Sequence, residues 1–418
     1  MVQEAHGACL QLGSVCQWSK CIRPYIFLTS ANLDQAQYLT ALGNYIWLND
    51  IMIDSSDLTF FFGAGASAPF GIPTMKQLVA DFEKYLEDEG SEEEKNLFSD
   101  IKNTLEKTLR RQVDLEDVFT VIDGIMNYGF DRIGLVSLYT LMKEFSRIPS
   151  PEVAENVCST LRKKFEEFIR EKCLIPEGSY DNISTVYKDL FNQIEKTSGV
   201  GGSQHPRRID FGWCSTWTMF TTNYDICIEF FWRESMRISL HTGFAEDPAR
   251  HTQTLRSGAL GVEALTLVKL HGSVNWMIEP DGTVIEEQSI PARSLVGRRY
   301  VRPMMIYPIQ QKELYVEPYI SMFLQLNREL ERKTNWVVIG YSFNDPIIRE
   351  IFVKNTDKTK QIVLVHPHAN DIADGILRPV KDKCREFSPL NKKFGLRHQD
   401  YNTVNEEIVK CLVERAPR

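Results

Sequence analysis

No C-x-x-C pair occurs in this sequence, although it contains nine cysteines. Cys9, Cys16, Cys21, Cys158, Cys173, Cys214, Cys227, Cys384 and Cys411 are scattered and odd in number. They suggest neither a disulfide framework nor a structural zinc site, and reduced thiols in a cytosol fit best. The chain also lacks a run of roughly 18 apolar residues, the length a bilayer core requires. Its first residues place Glu4, Lys20 and Arg23 among short apolar patches, with no clean signal-peptide core. A soluble, cytoplasmic protein with no membrane partner is therefore expected. Positive charge is not in excess either: 48 Lys and Arg stand against 56 Asp and Glu, a formal net charge of −8. Chain-wide attraction to nucleic acid is excluded, and direct nucleic-acid binding is not expected. Low-complexity sequence is absent, as is any acidic cluster with metal-binding spacing.

What is present is an ordinary globular composition, 43% hydrophobic and 11% aromatic. A chain of 418 residues can bury a sizeable core and suits two domains or one large domain with an insertion. Residues 1–50 read as an N-terminal extension, with a short strand at Ile26-Phe27-Leu28 and a helix from Leu33 to Trp47. A core is expected over 51–380 with a helical insertion at about 88–200, and 381–418 form a C-terminal segment ending in a helix with Val404, Ile408, Cys411 and Leu412 on one face. Nine Lys and Arg against six Asp and Glu over Lys381 to Arg418 are too mild an excess to suggest a nucleic-acid surface.

Leu58 to Phe62 is the first strong element, an unbroken apolar run of the kind found in strands covered on both faces. It runs into Gly63-Ala64-Gly65-Ala66-Ser67-Ala68. Gly63 permits a tight turn, Gly65 allows close backbone approach, and Ala68 takes the third place of the G-x-G-x-x-G/A fingerprint, whose free N–H groups would face a pyrophosphate. Such a cluster also makes an ordinary turn. Beyond Pro73, Met75, Leu78, Val79, Phe82 and Leu86 recur at helical spacing. Helices follow at Asn96–Gln112, Leu115–Tyr128, Ile133–Phe145, Glu152–Cys173 and Ser179–Thr197, the acidic stretch from Glu87 to Glu94 marking a solvated turn and helix start. Ser198 to Ser203 reads as a link.

Strand-like runs return at Trp217–Thr221, Leu265–Leu270, Met304–Tyr307, Trp336–Ile339 and Ile362–Val365. Helical stripes lie between them at Tyr319–Leu330 and after the Asp345-Pro346 cap. Strands alternating with helices predict an α/β fold, a Rossmann-like doubly wound parallel sheet with a helical insertion subdomain. Ligands of such sheets bind at the carboxyl ends of strands. Four polar clusters stand there: Gly63 to Ser67, Thr221 to Asp225, His271-Gly272-Ser273, and Gly340 to Asp345. Each has a plainer reading, because Asn223 and Asp225 can turn the chain and a histidine after a strand is often structural. No acidic residue stands on a second strand about twenty residues beyond the glycine loop, which disfavours dehydrogenase-type nucleotide recognition.

In order, G-A-G-x-S, G-I-P, T-x-N-x-D and a strand-terminal H-G resemble the sirtuin family, over roughly residues 55 to 370. Leu270 to Trp276 and Ile339 to Asp345 resemble in particular the bacterial sirtuin-like proteins of anti-phage defence. The departures matter as well: the two C-x-x-C pairs of a sirtuin zinc ribbon are missing, and Gly71-Ile72-Pro73 continues Thr74-Met75-Lys76 where deacylating sirtuins read D-F-R. The resemblance thus implies NAD as a substrate, no zinc, and hydrolysis to nicotinamide and ADP-ribose rather than deacylation. The alternatives are an NAD-binding or ADP-ribose-binding regulatory or structural subunit of an ATPase/nuclease complex, or an NAD-dependent protein deacylase. Homo-oligomers and a HerA-type hexameric ATPase are the partners it implies.

The same resemblance implies residue roles. Gly63, Ala64, Gly65, Ser67 and Thr222 belong to the binding set, and Gly340 and Ser342 to a later loop at the adenosine ribose or phosphate. Asn223 would hold a water and the ribose through its amide, and His271 would accept a proton from water or a ribose hydroxyl. Asp225 has two readings, contact on the nicotinamide-ribose side or support of the loop. His366 is an adenine-side or a turn residue. The chemistry asks little of acids: nicotinamide leaves the ribose neutral, so the site must orient, exclude bulk water and stabilise an oxocarbenium-like transition state.

Overall fold

The computed structural model describes residues 57–128, 151–197, 217–247, 252–255, 265–278, 283–286, 302–305, 317–395 and 401–414. The expected elements at Ile26–Leu28, Leu33–Trp47, Ile133–Phe145 and Ser198–Ser203 lie outside them. Eleven strands are described: β1 (Leu58–Phe62), β2 (Thr218–Thr221), β3 (Phe244–Asp247), β4 (Thr252–Leu255), β5 (Thr266–Lys269), β6 (Gly272–Ile278), β7 (Val284–Glu286), β8 (Arg302–Met305), β9 (Asn335–Ile339), β10 (Gln361–Val365) and β11 (Glu386–Leu390). The helices are α1 (Ala64–Ser67), α2 (Met75–Glu89), α3 (Glu92–Leu109), α4 (Leu115–Tyr128), α5 (Pro151–Lys172), α6 (Tyr180–Thr197), α7 (Cys227–Phe230), α8 (Tyr319–Arg332), α9 (Pro346–Asn355), α10 (Ala369–Asp374), α11 (Arg378–Lys383) and α12 (Tyr401–Glu414).

Six strands form one sheet in the order β11-β10-β9-β1-β2-β5, and every neighbouring pair is parallel. Among the described residues this sheet starts with β1, steps outward through β2 to β5, then crosses back over β1 to β9 and steps outward on the other side. That is the doubly wound order, and its reversal falls between β1 and β9. The strands are apolar on both faces because both are covered. Phe60 and Phe62 join one core with Val337, Ile339, Val363 and Val365, whereas Phe61 joins the other with Trp336, Val338, Ile362 and Leu364. Helices α2 to α6 and α12 bury residues in the first core; α8, α9 and α11 do so in the second. Among the described residues no helix is long and apolar enough to cross a membrane.

Five further strands form an antiparallel sheet in the order β3-β4-β7-β6-β8. Two expectations are corrected by it. The run predicted at Met304–Tyr307 is a strand at Arg302–Met305, but it pairs antiparallel with β6 rather than joining the parallel sheet. The His271-Gly272-Ser273 cluster is less a loop than a junction, since only Leu270 and His271 separate the end of β5 from the start of β6 at Gly272. Strand β11, not predicted, adds in parallel to β10; its Pro389 cannot donate to a ladder and is tolerated on an edge strand. Helix α12 follows it, and its Asn405 donates to Asp189 Oδ2 of α6 at 2.7 Å.

The helical layer starts where its chemistry directs. Ser91 and Glu94 form a reciprocal capping box, the Ser91 N–H donating to Glu94 Oε2 at 2.7 Å and the Glu94 N–H to Ser91 Oγ at 3.3 Å. So α3 begins four residues before the predicted Asn96, and its acidic first turn complements the helix dipole. Arg110 closes the helix in the left-handed region, φ 52°. At the centre of this layer Phe82 meets the rings of Tyr85, Phe98, Phe119, Phe165 and Phe168 at centroid distances between 5.1 and 5.8 Å. Replacing Phe82 by Ala is expected to cost about 3–5 kcal/mol in urea unfolding. A loss below about 1 kcal/mol would mean the cluster does not hold the layer together.

Candidate functional site

The carboxyl ends of β9, β1, β2 and β5 lie side by side, and each carries one of the polar clusters read from the sequence. At the β9–β1 boundary the backbones touch. The Gly63 N–H donates to the Ile339 carbonyl at 2.9 Å, and the Gly65 N–H to the Gly340 carbonyl at 2.9 Å. A Cβ on Gly63 would lie 2.6 Å from Gly340 O, and one on Gly340 would lie 2.3 Å from Ala66 N. Gly340 also has φ +69°, the region that glycine enters without penalty. Here the sequence reading needs correcting. The glycines serve strand-to-strand backbone contact, and the N–H groups of Gly63 and Gly65 are spent on β9 instead of facing a pyrophosphate. Nor does a long helix follow at once: α1 is one turn of four residues, and α2 opens only after Gly71, under a Thr74–Gln77 capping box. Ala64 is half-buried, whereas Ser67 is buried.

Asn223 ties the β2 loop to that glycine turn. Its amide donates to the Gly63 carbonyl at 3.0 Å and to Ser67 Oγ at 2.9 Å, and its own N–H donates to Thr221 Oγ1 at 3.0 Å. Because a backbone carbonyl only accepts, the NH₂ of the side chain must face Gly63. That leaves the buried Asn223 Oδ1 with no hydrogen-bond partner among the described residues. The amide predicted to hold water and ribose is thus half committed to the loop, and only its acceptor atom remains. The Thr222 N–H reaches the Phe62 carbonyl at 3.3 Å. For Asp225, Oδ1 accepts from the Cys227 N–H at 3.0 Å, an Asx turn leading into α7. This contact is the loop-supporting one of its two readings.

Sequence reasoning missed Lys269. Its side chain is fully buried, and Nζ lies 2.8 Å from Glu229 Oε1 while also donating to the Asp225 carbonyl. The signal was available: a lysine inside an otherwise apolar strand needs a buried partner. The pair binds the β2 turn to the end of β5, two residues before His271. A five-residue π turn, Phe231–Ser235, follows α7 and brings Arg233 to 3.0 Å from the buried Glu286 of β7, linking the two sheets.

His271 is 4% exposed, and its Nε2 lies 3.3 Å from Asp345 Oδ2. Asp345 caps α9, Oδ1 accepting from the N–H groups of Ile347 at 2.8 Å and Ile348 at 3.2 Å. Burial pushes this carboxyl up, but the hydrogen bond and charge of His271 and the two amides outweigh it, so Asp345 titrates below the ordinary carboxylate range. The sequence reading gave Asp345 a place in a polar cluster and a capping role but no partner; its contact with His271 joins the β5 and β9 loops. Between Gly340 and Asp345, Ser342 is half-buried, while Phe343 is fully buried at φ +60°. A phenylalanine there is a genuine outlier. It is held by rings of Tyr341 and Phe352 at 4.8 and 5.0 Å, and its carbonyl accepts from Arg349 at 3.1 Å. His366 takes the turn role, Nδ1 accepting from the His368 N–H at 3.0 Å. Burial, then His368 and Lys76, push its imidazole down to about 4.

With this geometry in view, the likenesses to known proteins can be placed on it. Residues 218–383 match the family model of a SIR2-like domain. That matched stretch runs from β2 to the end of α11 and holds Asn223, Asp225, His271, Gly340, Ser342 and Asp345. The glycine loop after β1 falls outside the matched residues and reaches them through β1's pairing with β2 and β9. Among solved structures, a Sir2 homologue in complex with NAD is 14% identical, covering 86% of this chain and 92% of its own, with a TM-score of 0.40. A Sir2 homologue mutant with ADP-ribose is likewise 14% identical, over 86% and 94%, with a TM-score of 0.37. Overall likeness at this level carries no residue's role across to this chain. No curated protein matches it.

Two outcomes follow from the site. Gly340→Ala is expected to cost more than about 2 kcal/mol by urea unfolding, combining left-handed strain with a backbone clash. Gly178→Ala, at φ +88° with nothing within 4 Å, is expected to cost only the backbone component, roughly 1 kcal/mol; equal losses would refute the backbone-contact account. For His366, the folded pKa of about 4 lies below the ordinary imidazole value of about 6.5, so the unfolded chain takes up the proton first. Stability from this group is then full above about 6.5 and is lost as pH falls towards 4. His366→Asn, whose Oδ1 can still accept from His368, should flatten that part of the profile of urea midpoint against pH.

Proposed function

We propose that this chain is an NAD glycohydrolase, cleaving the bond between nicotinamide and ribose. The observation that carries the reading is the pairing of a nearly buried His271 with Asp345, beside an Asn223 fixed under the glycine turn, within a stretch that matches a SIR2-like domain. Asn223 Oδ1 can only accept a hydrogen bond, which suits a ribose hydroxyl or the attacking water. The loops ending β9 and β1 flank the switch point, where an open α/β sheet takes nucleotides. The C1′–N bond breaks with its electron pair going to the nicotinamide ring, which departs neutral. Water oxygen forms the new bond to C1′, and its proton passes to His271 and then to solvent.

The wider setting extends the same reading. The resemblance to bacterial defence proteins supports NAD depletion during phage infection as the purpose, in a cytoplasmic homo-oligomer that works with a HerA-type ATPase. An unrestrained NADase would kill its own cell, so assembly with that partner is the proposed control. The assay is NAD incubated with the purified chain, alone and with the ATPase, following nicotinamide and ADP-ribose. Equimolar release is expected in at least one arm, falling by about 100-fold or more in His271→Ala, the scale of a general base. Absence of nicotinamide in both arms refutes the proposal. Release only with an acylated peptide present would make the chain a deacylase.

A further inference from the structure

The loop after β9 offers more than a boundary for the nucleotide. An imidazole has two nitrogens, and in the neutral ring one donates while the other accepts; the hydrogen bond made by the first decides the role of the second. In this structure Nε2 of His271 faces Asp345 Oδ2 at 3.3 Å. The other oxygen of the same carboxylate is anchored by the N–H groups of Ile347 and Ile348, so the acceptor facing His271 is held by the start of α9. Both side chains are nearly buried, at 5% and 7% exposure. An ionised carboxylate only accepts, so the proton of the neutral ring belongs on Nε2.

The surrounding charges do not compete for this contact. Lys269, two residues before His271, is turned onto Glu229 and the Asp225 carbonyl. Asp225 accepts from the Cys227 N–H, and Arg349 of α9 donates to the Phe343 carbonyl. Nδ1 makes no hydrogen bond to the described residues.

We propose that Asp345 is the positioning residue of this site: it keeps the His271 proton on Nε2, so that Nδ1 is the nitrogen that takes a proton from water or a ribose hydroxyl. This rests on the NAD-cleavage reading for its catalytic consequence, though not for the tautomer. The Nδ1 lone pair forms a bond to the incoming proton, the O–H electrons stay on oxygen, and the resulting imidazolium lies against the Asp345 carboxylate. Phe343 fits the same scheme. Its strained backbone lies two residues before Asp345, and strain of this kind persists where surrounding packing overrides it.

Asp345→Asn is the decisive variant, because asparagine caps a helix as well as aspartate does and so keeps α9 intact while removing the charge. In the full chain with ¹⁵N-labelled histidine, two-bond proton–nitrogen spectra report the tautomer of each ring, and His271→Gln assigns the signal. The wild type is expected to show His271 protonated on Nε2, and Asp345→Asn to show a mixture of tautomers. In nicotinamide release, kcat should fall by about 100-fold or more with KM little changed. A wild-type ring protonated on Nδ1, or a variant with unchanged spectra, overturns the proposal and leaves Asp345 a helix cap. Should the wild type release no nicotinamide, the NAD-cleavage reading fails while the spectra still decide the tautomer.

Discussion

Everything at the carboxyl edge of the parallel sheet hangs on one backbone contact, the meeting of Gly63 and Gly65 with Gly340 across the β1–β9 boundary. Two N–H···O bonds at 2.9 Å close it, at distances where no side chain fits between the chains. A doubly wound sheet opens a crevice where its loops part to opposite sides. In this protein the crevice floor is closed by glycine before it opens. That fixes the β1 turn relative to β9, and Asn223 then reads the position of the turn through Gly63 O and Ser67 Oγ. Four short hydrogen bonds therefore carry the geometry of β9 through β1 to β2.

The next link is electrostatic and buried. The Lys269 side chain is fully buried, and Glu229 and the Asp225 carbonyl replace the hydration that its ammonium loses. Removing either partner would strand a charge in an apolar core. The penalty for misplacement is what makes such a pair useful as a fastener, and it secures the β2 turn to the strand that delivers His271. Arg233 and Glu286 repeat the device between the π turn and the antiparallel sheet. The two sheets are thus joined by covalent continuity at His271-Gly272 and by charge pairing at Arg233.

How much of this was legible from the sequence depends on range. Leu58–Phe62, apolar on both faces, could only be an inner strand, and the motifs after the apolar runs were placed correctly at strand ends, because each is a local pattern. The helix over Met75–Glu89 was legible for the same reason, from the spacing of Leu78, Val79, Phe82 and Leu86. The antiparallel sheet was not. Its strands are short, and β6 follows β5 without a turn signal, so Gly272–Ile278 read as a motif rather than a strand. Nor could spacing reveal that the Gly63 and Gly65 N–H groups bond to β9, since a glycine needed for ligand approach and one needed for backbone approach look alike. His271 and Asp345 stand 74 residues apart, and only the sheet order brings them together.

That sheet order also explains why the strained residue sits where it does. Strand β9 must leave the sheet at Gly340 with φ +69° to clear the glycine turn, yet five residues later the chain must begin α9 with Asp345 facing His271. The distance is too short for a relaxed loop to make both bends. Phe343 absorbs the second bend at φ +60°, and its ring, wedged between Tyr341 and Phe352, holds the backbone there. Aromatic packing on the second core is in this way converted into the direction of a carboxylate. Alanine at 343 would keep its Cβ and so ease little of this strain, since φ is set by the two ends, and would lose the packing that offsets it.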